Sequence, residues 1–180
     1  MSIAAQITTV EQLWNANIRE PCELVRGELR MMSPGNAEHG WVIMNVSAPL
    51  ATFVKENELG YVFGAETGFV IARDPDSVRA PDFAFVVNHR ITGEIPKKFF
   101  PGPPDLAVEI LSPGNSASEM QEKTEDWLNS GCREVWLIDP QRKTASISRL
   151  SGSSVLVKTV ETLASELLPG FELQVSELFQ

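Results

Sequence analysis

Three side chains capable of chemistry stand where the surrounding pattern asks for apolar ones: Asp82, Glu109 and Lys123. Glu109 sits in the middle of a short apolar run bounded by Pro104 and Pro113. By the period of two, Leu106, Val108 and Ile110 share one face of a strand, and Ala107, Glu109 and Leu111 share the other. Apolar residues on both faces predict an interior strand covered on both sides. A lone carboxylate buried there costs several kcal/mol or more, roughly, so Glu109 needs a metal, a cation or a proton. Asp82 opens a second apolar strand directly after Pro81, a residue that cannot join the ladder. Lys123 follows on a helix, between Met120 three residues before it and Trp127 four after. That spacing points it at the sheet rather than at water. Two carboxylates and a lysine in one cleft suit metal-assisted phosphodiester cleavage. Carboxylates and a carbonyl hold a hard cation, the cation activates water, and the lysine stabilises charge or orients the nucleophile.

Each group also has a plainer role open to it. An Asp after a proline is a common turn residue, Glu109 and Lys123 can form a structural ion pair, and a lysine can lay its stem over Met120 and Trp127. Glu28 and Glu66 are accessory acids with weaker claims, each at a possible strand turn. His39, beside Glu38 in the first turn of a helix, reads either as a contact near the site or as a solvated helix terminus. Ser112, just after the Glu109 strand, is a further accessory position. His39 and His89 are too few and too separated for a zinc site, and the chain carries no phosphate-binding glycine loop and no nucleophile elbow.

The elements that position these groups begin with a helix near 9–16, where Thr9 and Gln12 have capping-box spacing. Strands at about 22–25 and 28–32 turn at Arg26-Gly27 as a hairpin. Asn36 caps a long helix over about 37–57, whose stripe of Val42, Val46, Leu50 and Val54 contains Pro49, a residue expected to kink or divide it. One or two strands follow in 61–72, then the strand that starts at Asp82. A basic, aromatic, proline-rich loop occupies 88–104. The Glu109 strand, a helix at about 117–130 stopped by Gly131, and a strand at 134–140 make a βαβ crossover with at least one parallel pair. Strands at about 144–150 and 154–160 and a short amphipathic helix at Val175–Phe179 close the chain. The fold class is mixed α/β.

A chain of 180 residues suits one domain with a sizeable core. The net charge of −9 argues against a protein that coats nucleic acid non-specifically, and leaves room for a small basic cleft. Cys22 and Cys132 lack metal-ligand spacing and read as reduced, buried thiols of a cytoplasmic protein. Neither a signal peptide nor a membrane span is expected from the hydropathy pattern.

The chain resembles the Uma-two family of restriction-endonuclease-like proteins, within the PD-(D/E)XK nuclease superfamily. The resemblance covers about residues 10–179. Its markers are Glu23-Leu-Val-Arg-Gly-Glu-Leu29, Ser33-Pro34 with Glu38-His39-Gly40, Glu66-Thr-Gly-Phe69, Arg79-Ala-Pro-Asp82, Val108-Glu-Ile-Leu-Ser-Pro113, Glu122-Lys123, Gly131, Val135-Trp-Leu-Ile-Asp-Pro140 and Leu168-Pro-Gly-Phe171. It implies one restriction-endonuclease-like domain over 1–180 with its core at about 20–160: a mixed central sheet flanked by helices, carrying an N-terminal helix and hairpin. It implies Asp82 and Glu109 as metal-binding acids, the carbonyl of Ile110 as third ligand, and Mg²⁺ as cofactor with Mn²⁺ as substitute. The superfamily's lysine two places after the acid is Leu111 here, and the resemblance moves that function to Lys123. Glu28 or Glu66 is left for the additional early acid. Cys22 and Trp127 stand where such proteins carry aromatic tyrosines, and read as packing changes.

The expected activity is Mg²⁺-dependent endonucleolytic hydrolysis with DNA as substrate. Adjacent strands should bring the two carboxylates within about 3–5 Å of each other. A homodimer is expected, either by pairing of strands 61–71 or 154–160, which are candidate exposed edges, or by burial of an apolar helix face across a two-fold axis. The alternative is a non-catalytic interaction or oligomerisation module on the same scaffold.

Overall fold

The computed structural model describes residues 7–180. Thr9 caps α1 (Val10–Ala16) through a complete capping box with Gln12. The hairpin of β1 (Cys22–Val25) and β2 (Glu28–Met31) turns on Arg26 and Gly27, both at positive φ, the conformation that two-residue hairpins need. The side chain of Asn36 accepts from the His39 N–H and starts α2 (Ala37–Glu56). After it come β3 (Gly60–Gly64), β4 (Phe69–Ala72), β5 (Ser77–Arg79), β6 (Phe83–Val87), β7 (Phe100–Pro101) and β8 (Leu106–Ile110). Ser116 and Glu119 form a second capping box at α3 (Ala117–Asn129), which Gly131 ends at φ +100. The remainder is β9 (Glu134–Asp139), β10 (Thr144–Arg149), β11 (Ser154–Val157), β12 (Thr162–Ser165), β13 (Leu168–Gln174) and a 3₁₀ turn over Val175–Phe179.

A six-stranded sheet in the order β11-β10-β9-β8-β6-β3 holds the Glu109 strand in its interior. All five residues of β8 are buried. β8 and β9 run parallel and α3 connects them, as a βαβ unit requires; β6 and β8 run antiparallel. Val42, Val46, Leu50 and Val54 of α2 pack on one face against Phe83, Phe85, Leu106, Val108 and Trp136. Trp127 of α3 covers the other face with Ala84, Ala107 and Val135, and Phe69 and Phe100 join them from a smaller sheet, β2-β1-β5-β4-β7. α1 closes the far side of that smaller sheet through Val10 and Leu13 on Leu24 and Val78.

Several details differ from expectation. Pro49 does not divide α2, which runs unbroken from Ala37 to Glu56. An interior proline costs about 3 kcal/mol, and four fully buried side chains at about 1.5–3 kcal/mol each outweigh it. β5 is a separate strand paired with β1 and β4, and β6 starts at Phe83, one residue after Asp82. The loop after β6 contains a 3₁₀ turn and the short parallel strand β7. β12 and β13 form an additional antiparallel ribbon. Both cysteines are free thiols, Cys132 buried but Cys22 only half-buried. Among the described residues, no helix is long and apolar enough to cross a membrane.

Candidate active site

The antiparallel register of β6 and β8 sets Phe83 opposite Val108. One step further along both strands, the same register sets Asp82 opposite Glu109 on the α3 side of the sheet. Asp82 leaves the ladder there, and its Oδ2 accepts from the Ile110 N–H at 2.8 Å. Glu109 is 3 % exposed and both its oxygens are engaged. The Trp127 indole N–H donates to Oε1 at 2.8 Å, and Lys123 Nζ lies 3.0 Å from Oε2. Trp127 therefore does more than pack: it orients the acid. Burial pushes the Glu109 carboxyl up to about 7, against the pull of Lys123.

Lys123 does point at the sheet. Its ammonium also meets Glu23 Oε1 at 3.2 Å and donates to the Ala80 carbonyl at 3.1 Å. Burial lowers its pKa, but the Glu109 and Glu23 carboxylates outweigh burial and hold it above the usual lysine range. Glu23, on β1, is buried as well, and accepts from Arg79 at 2.9 Å and from the Ala80 N–H at 2.9 Å. Burial pushes its carboxyl up, yet Lys123 and Arg79 leave it below the usual carboxylate range. Arg79 bridges onward to Asp126 of α3. The stretch Arg79–Asp82 thus ties both acids and the lysine to one segment of backbone.

His39 takes the first of its two readings, a contact near the site. It is not a solvated helix terminus: its side chain is 16 % exposed, with Nε2 at 3.1 Å from the Ile110 carbonyl oxygen and 3.5 Å from Asp82 Oδ2. The hydrogen bond to Asp82 raises its pKa. Gly35 makes room for the ring, since a Cβ there falls 2.7 Å from His39 Nδ1. The other accessory positions lie elsewhere. Glu28 is exposed on β2, and Glu66 is exposed in the turn before β4. Ser112 donates its N–H and Oγ to Asn115 Oδ1, in the turn that leads into α3. Among the described residues, the early carboxylate in contact with Lys123 is Glu23, and neither Glu28 nor Glu66 pairs with it.

Burial of an acid does not by itself mark the site. Asp105 and Glu134 are equally buried at the opposite ends of β8 and β9, where Arg90 and Arg149 pair with them. What sets the Glu109 end apart is an acid opposite it in register, a backbone carbonyl beside it and a lysine from the next helix. Among the described residues, no three His, Cys, Asp or Glu side chains converge as a ready-made metal cage. Asp82, Glu109 and the Ile110 carbonyl are instead a sparse oxygen set. Such a set suits Mg²⁺, which keeps several waters and takes one or two carboxylates together with substrate phosphate oxygens.

A family model described as "Putative restriction endonuclease", Uma2, matches residues 9–176. No curated protein matches the chain. Among solved structures, the crystal structure of a "putative nuclease belonging to DUF820" from Anabaena variabilis superposes with a TM-score of 0.84 at 21 % identity, covering 95 % of this chain and 97 % of that one. At that identity the likeness bears on the fold, and it extends across almost the whole of both chains.

Proposed function

The chain belongs to the Uma2 family, described as "Putative restriction endonuclease", and from that premise we propose that it is a Mg²⁺-dependent endonuclease acting on DNA. The observation that supports this best is the delivery of Lys123 Nζ to 3.0 Å from Glu109 by the helix that follows β8, with Asp82 opposite in register. Asp82, Glu109 and the Ile110 carbonyl are the groups to hold the metal, and Mn²⁺ has the same oxygen preference. When bound, the ion supplies charge neutralisation at the phosphate and a water of lowered pKa. Lys123 presents a fixed ammonium where the pentavalent phosphate gathers negative charge. Glu23 and the Ala80 carbonyl hold that ammonium in place, so little reorganisation accompanies the reaction. Trp127 fixes the rotamer of Glu109. The free thiols Cys22 and Cys132 support a reducing, cytoplasmic setting.

One observation favours the rival, a scaffold with no catalysis. Both Glu109 oxygens are satisfied within the protein, so Lys123 and Glu109 also make a closed structural pair. The two readings part in a nicking assay on supercoiled plasmid with Mg²⁺, Mn²⁺ or EDTA, run beside melting curves in the same buffers. The enzyme reading expects metal-dependent nicking, lost in Asp82→Ala, and a metal-dependent rise in melting temperature. A protein that nicks no DNA and whose melting ignores both ions would leave the scaffold.

A further inference from the structure

α2 carries two apolar faces, and among the described residues only one is covered. The inner stripe repeats every four residues and packs on the central sheet. The outer stripe is Ala37, Trp41, Met44, Ala48, Ala51 and Lys55. Its steps of four, three, four, three and four are those of a coiled-coil seam, in which such positions meet a second helix. Trp41 is 59 % exposed and Met44 61 %, while Ala37, Ala48 and Lys55 are exposed; Ala51, at the seam's inner edge, is half-buried with part of its surface against the core. A helix on the surface of a single subunit has no use for a second seam on its solvent side.

The seam is divided by size. Its first half holds the bulky Trp41 and Met44; its second half holds the small Ala48 and Ala51. Reversing the helix and laying it on itself about position 46 sets Trp41 against Ala51, Met44 against Ala48 and Ala37 against Lys55. Every bulky residue then meets a small one. A two-fold interface demands this self-complementarity, because if one position contacts another the converse contact is made as well. The charges agree: the reversed Lys55 arrives beside Ala37, next to Glu38, and among the described residues neither Lys55 nor Glu38 has an ion pair within the chain. Between Ala37 and Val54 the helix carries no Lys or Arg, so this face has nothing to offer a phosphate backbone or an anionic lipid surface.

We propose that α2 is a homodimerisation helix that pairs antiparallel with α2 of a second copy of this chain, with Trp41 seated on the second copy's Ala51 and Met44 on its Ala48. This goes beyond the phosphodiesterase reading and does not depend on it. It has a consequence for the sites, since His39 lies on the same helix. The pairing sets each His39 opposite position 53 of the other helix, so the two sites are separated by about 21 Å along the paired axis at 1.5 Å per residue. One pair of helices this long is a small interface, for which a dissociation constant in the range of about 1–100 μM is expected.

Sedimentation velocity of the full chain from about 1 to 500 μM tests the pairing by mass and reads nothing from cleavage. The wild type should move from the mass of one chain to that of two across this range. Met44→Ala removes the knob and Ala48→Met places two knobs together, so each should weaken dimerisation about tenfold or more. The double variant Met44→Ala with Ala48→Met exchanges large for small on both sides of the two-fold and should return to within about threefold of wild type. Both positions are exposed, so matching melting curves should show that every variant folds. A wild type that stays at one chain throughout overturns the proposal. So does a dimer indifferent to the single changes, or a double variant no tighter than the singles, since either assigns the seam to a different partner.

Discussion

Lys123 Nζ lies 3.0 Å from Glu109 Oε2, and the same ammonium lies 3.2 Å from Glu23. One cation therefore serves two buried carboxylates, of which Glu23 has a second cation in Arg79 and Glu109, among the described residues, has none within direct contact. Removing the ammonium falls hardest on Glu109. Lys123→Met keeps the stem over Met120 and Trp127 and should cost about 3–5 kcal/mol of stability in urea unfolding. Adding Glu109→Gln should recover much of that loss. If Lys123 also serves the reaction, both variants should nick plasmid at least ~10²-fold more slowly. Recovered stability with recovered nicking would remove Lys123 from the mechanism.

Glu109 makes stability depend on pH in the direction opposite to Glu23, whose carboxyl, despite burial, Lys123 and Arg79 hold below the usual range. Its folded pKa of about 7 lies above the ordinary 4.5, so the native state holds the proton more tightly than the unfolded chain. The contribution is complete below about pH 4.5 and is lost as pH rises through 7, a change of roughly 3 kcal/mol. Glu109→Gln cannot titrate and should not show this fall. Unfolding free energies at pH 5 and pH 8 in EDTA give the comparison. Parallel pH profiles for the two proteins would mean that Glu109 is already ionised at pH 5.

Arg79 is the keystone of the smaller sheet's contact with α3. Its guanidinium is 5 % exposed between Glu23 and Asp126. Arg79→Met leaves Glu23 with Lys123 alone and should cost about 3–5 kcal/mol. Arg79→Lys should recover little, because an ammonium lacks the planar fork that sets Nη1 on Glu23 while Nε and Nη2 face Asp126. Melting temperatures of the two variants, compared with wild type, decide this; a Lys variant as stable as wild type would contradict the fork argument.

The residues on long, regular elements were the legible ones. β8, α3 and β9 announce themselves by apolar runs and a capped amphipathic helix, and the helical face alone directs Lys123 toward the sheet. Glu23 carries a fainter form of the signal that identifies Glu109: a carboxylate within an apolar strand. Cys22–Val25 is only four residues long and belongs to a hairpin, so the pattern alone does not tell which face β5 and α3 will bury. His39 has no local signal at all, because its burial depends on how α2 crosses the end of β8 and on the absence of a side chain at Gly35. β12 and β13 were hidden by a register shift at Ala164/Ser165 and by Pro169 and Gly170 within β13, residues that read as a turn.

His39 allows the sharpest test of the proposed metal position. Its Nε2 stands 3.1 Å from the Ile110 carbonyl oxygen and 3.5 Å from Asp82 Oδ2, two of the three groups assigned to the cation. A ring N–H and a metal ion contend for the same lone pairs, so the ring must yield when the ion enters. His39→Ala removes the competitor at the cost of one hydrogen bond. Apparent affinity for Mn²⁺, measured by isothermal titration at a fixed pH, should therefore tighten about two- to tenfold, the equivalent of ~0.5–1.5 kcal/mol. His39→Gln keeps an N–H donor of similar reach and should stay near wild type. The opposite pattern, weaker Mn²⁺ binding in the Ala variant with rescue by Gln, would make His39 a residue that orients Asp82 for the ion. Identical affinities in all three proteins would place the ion away from Asp82 and Ile110.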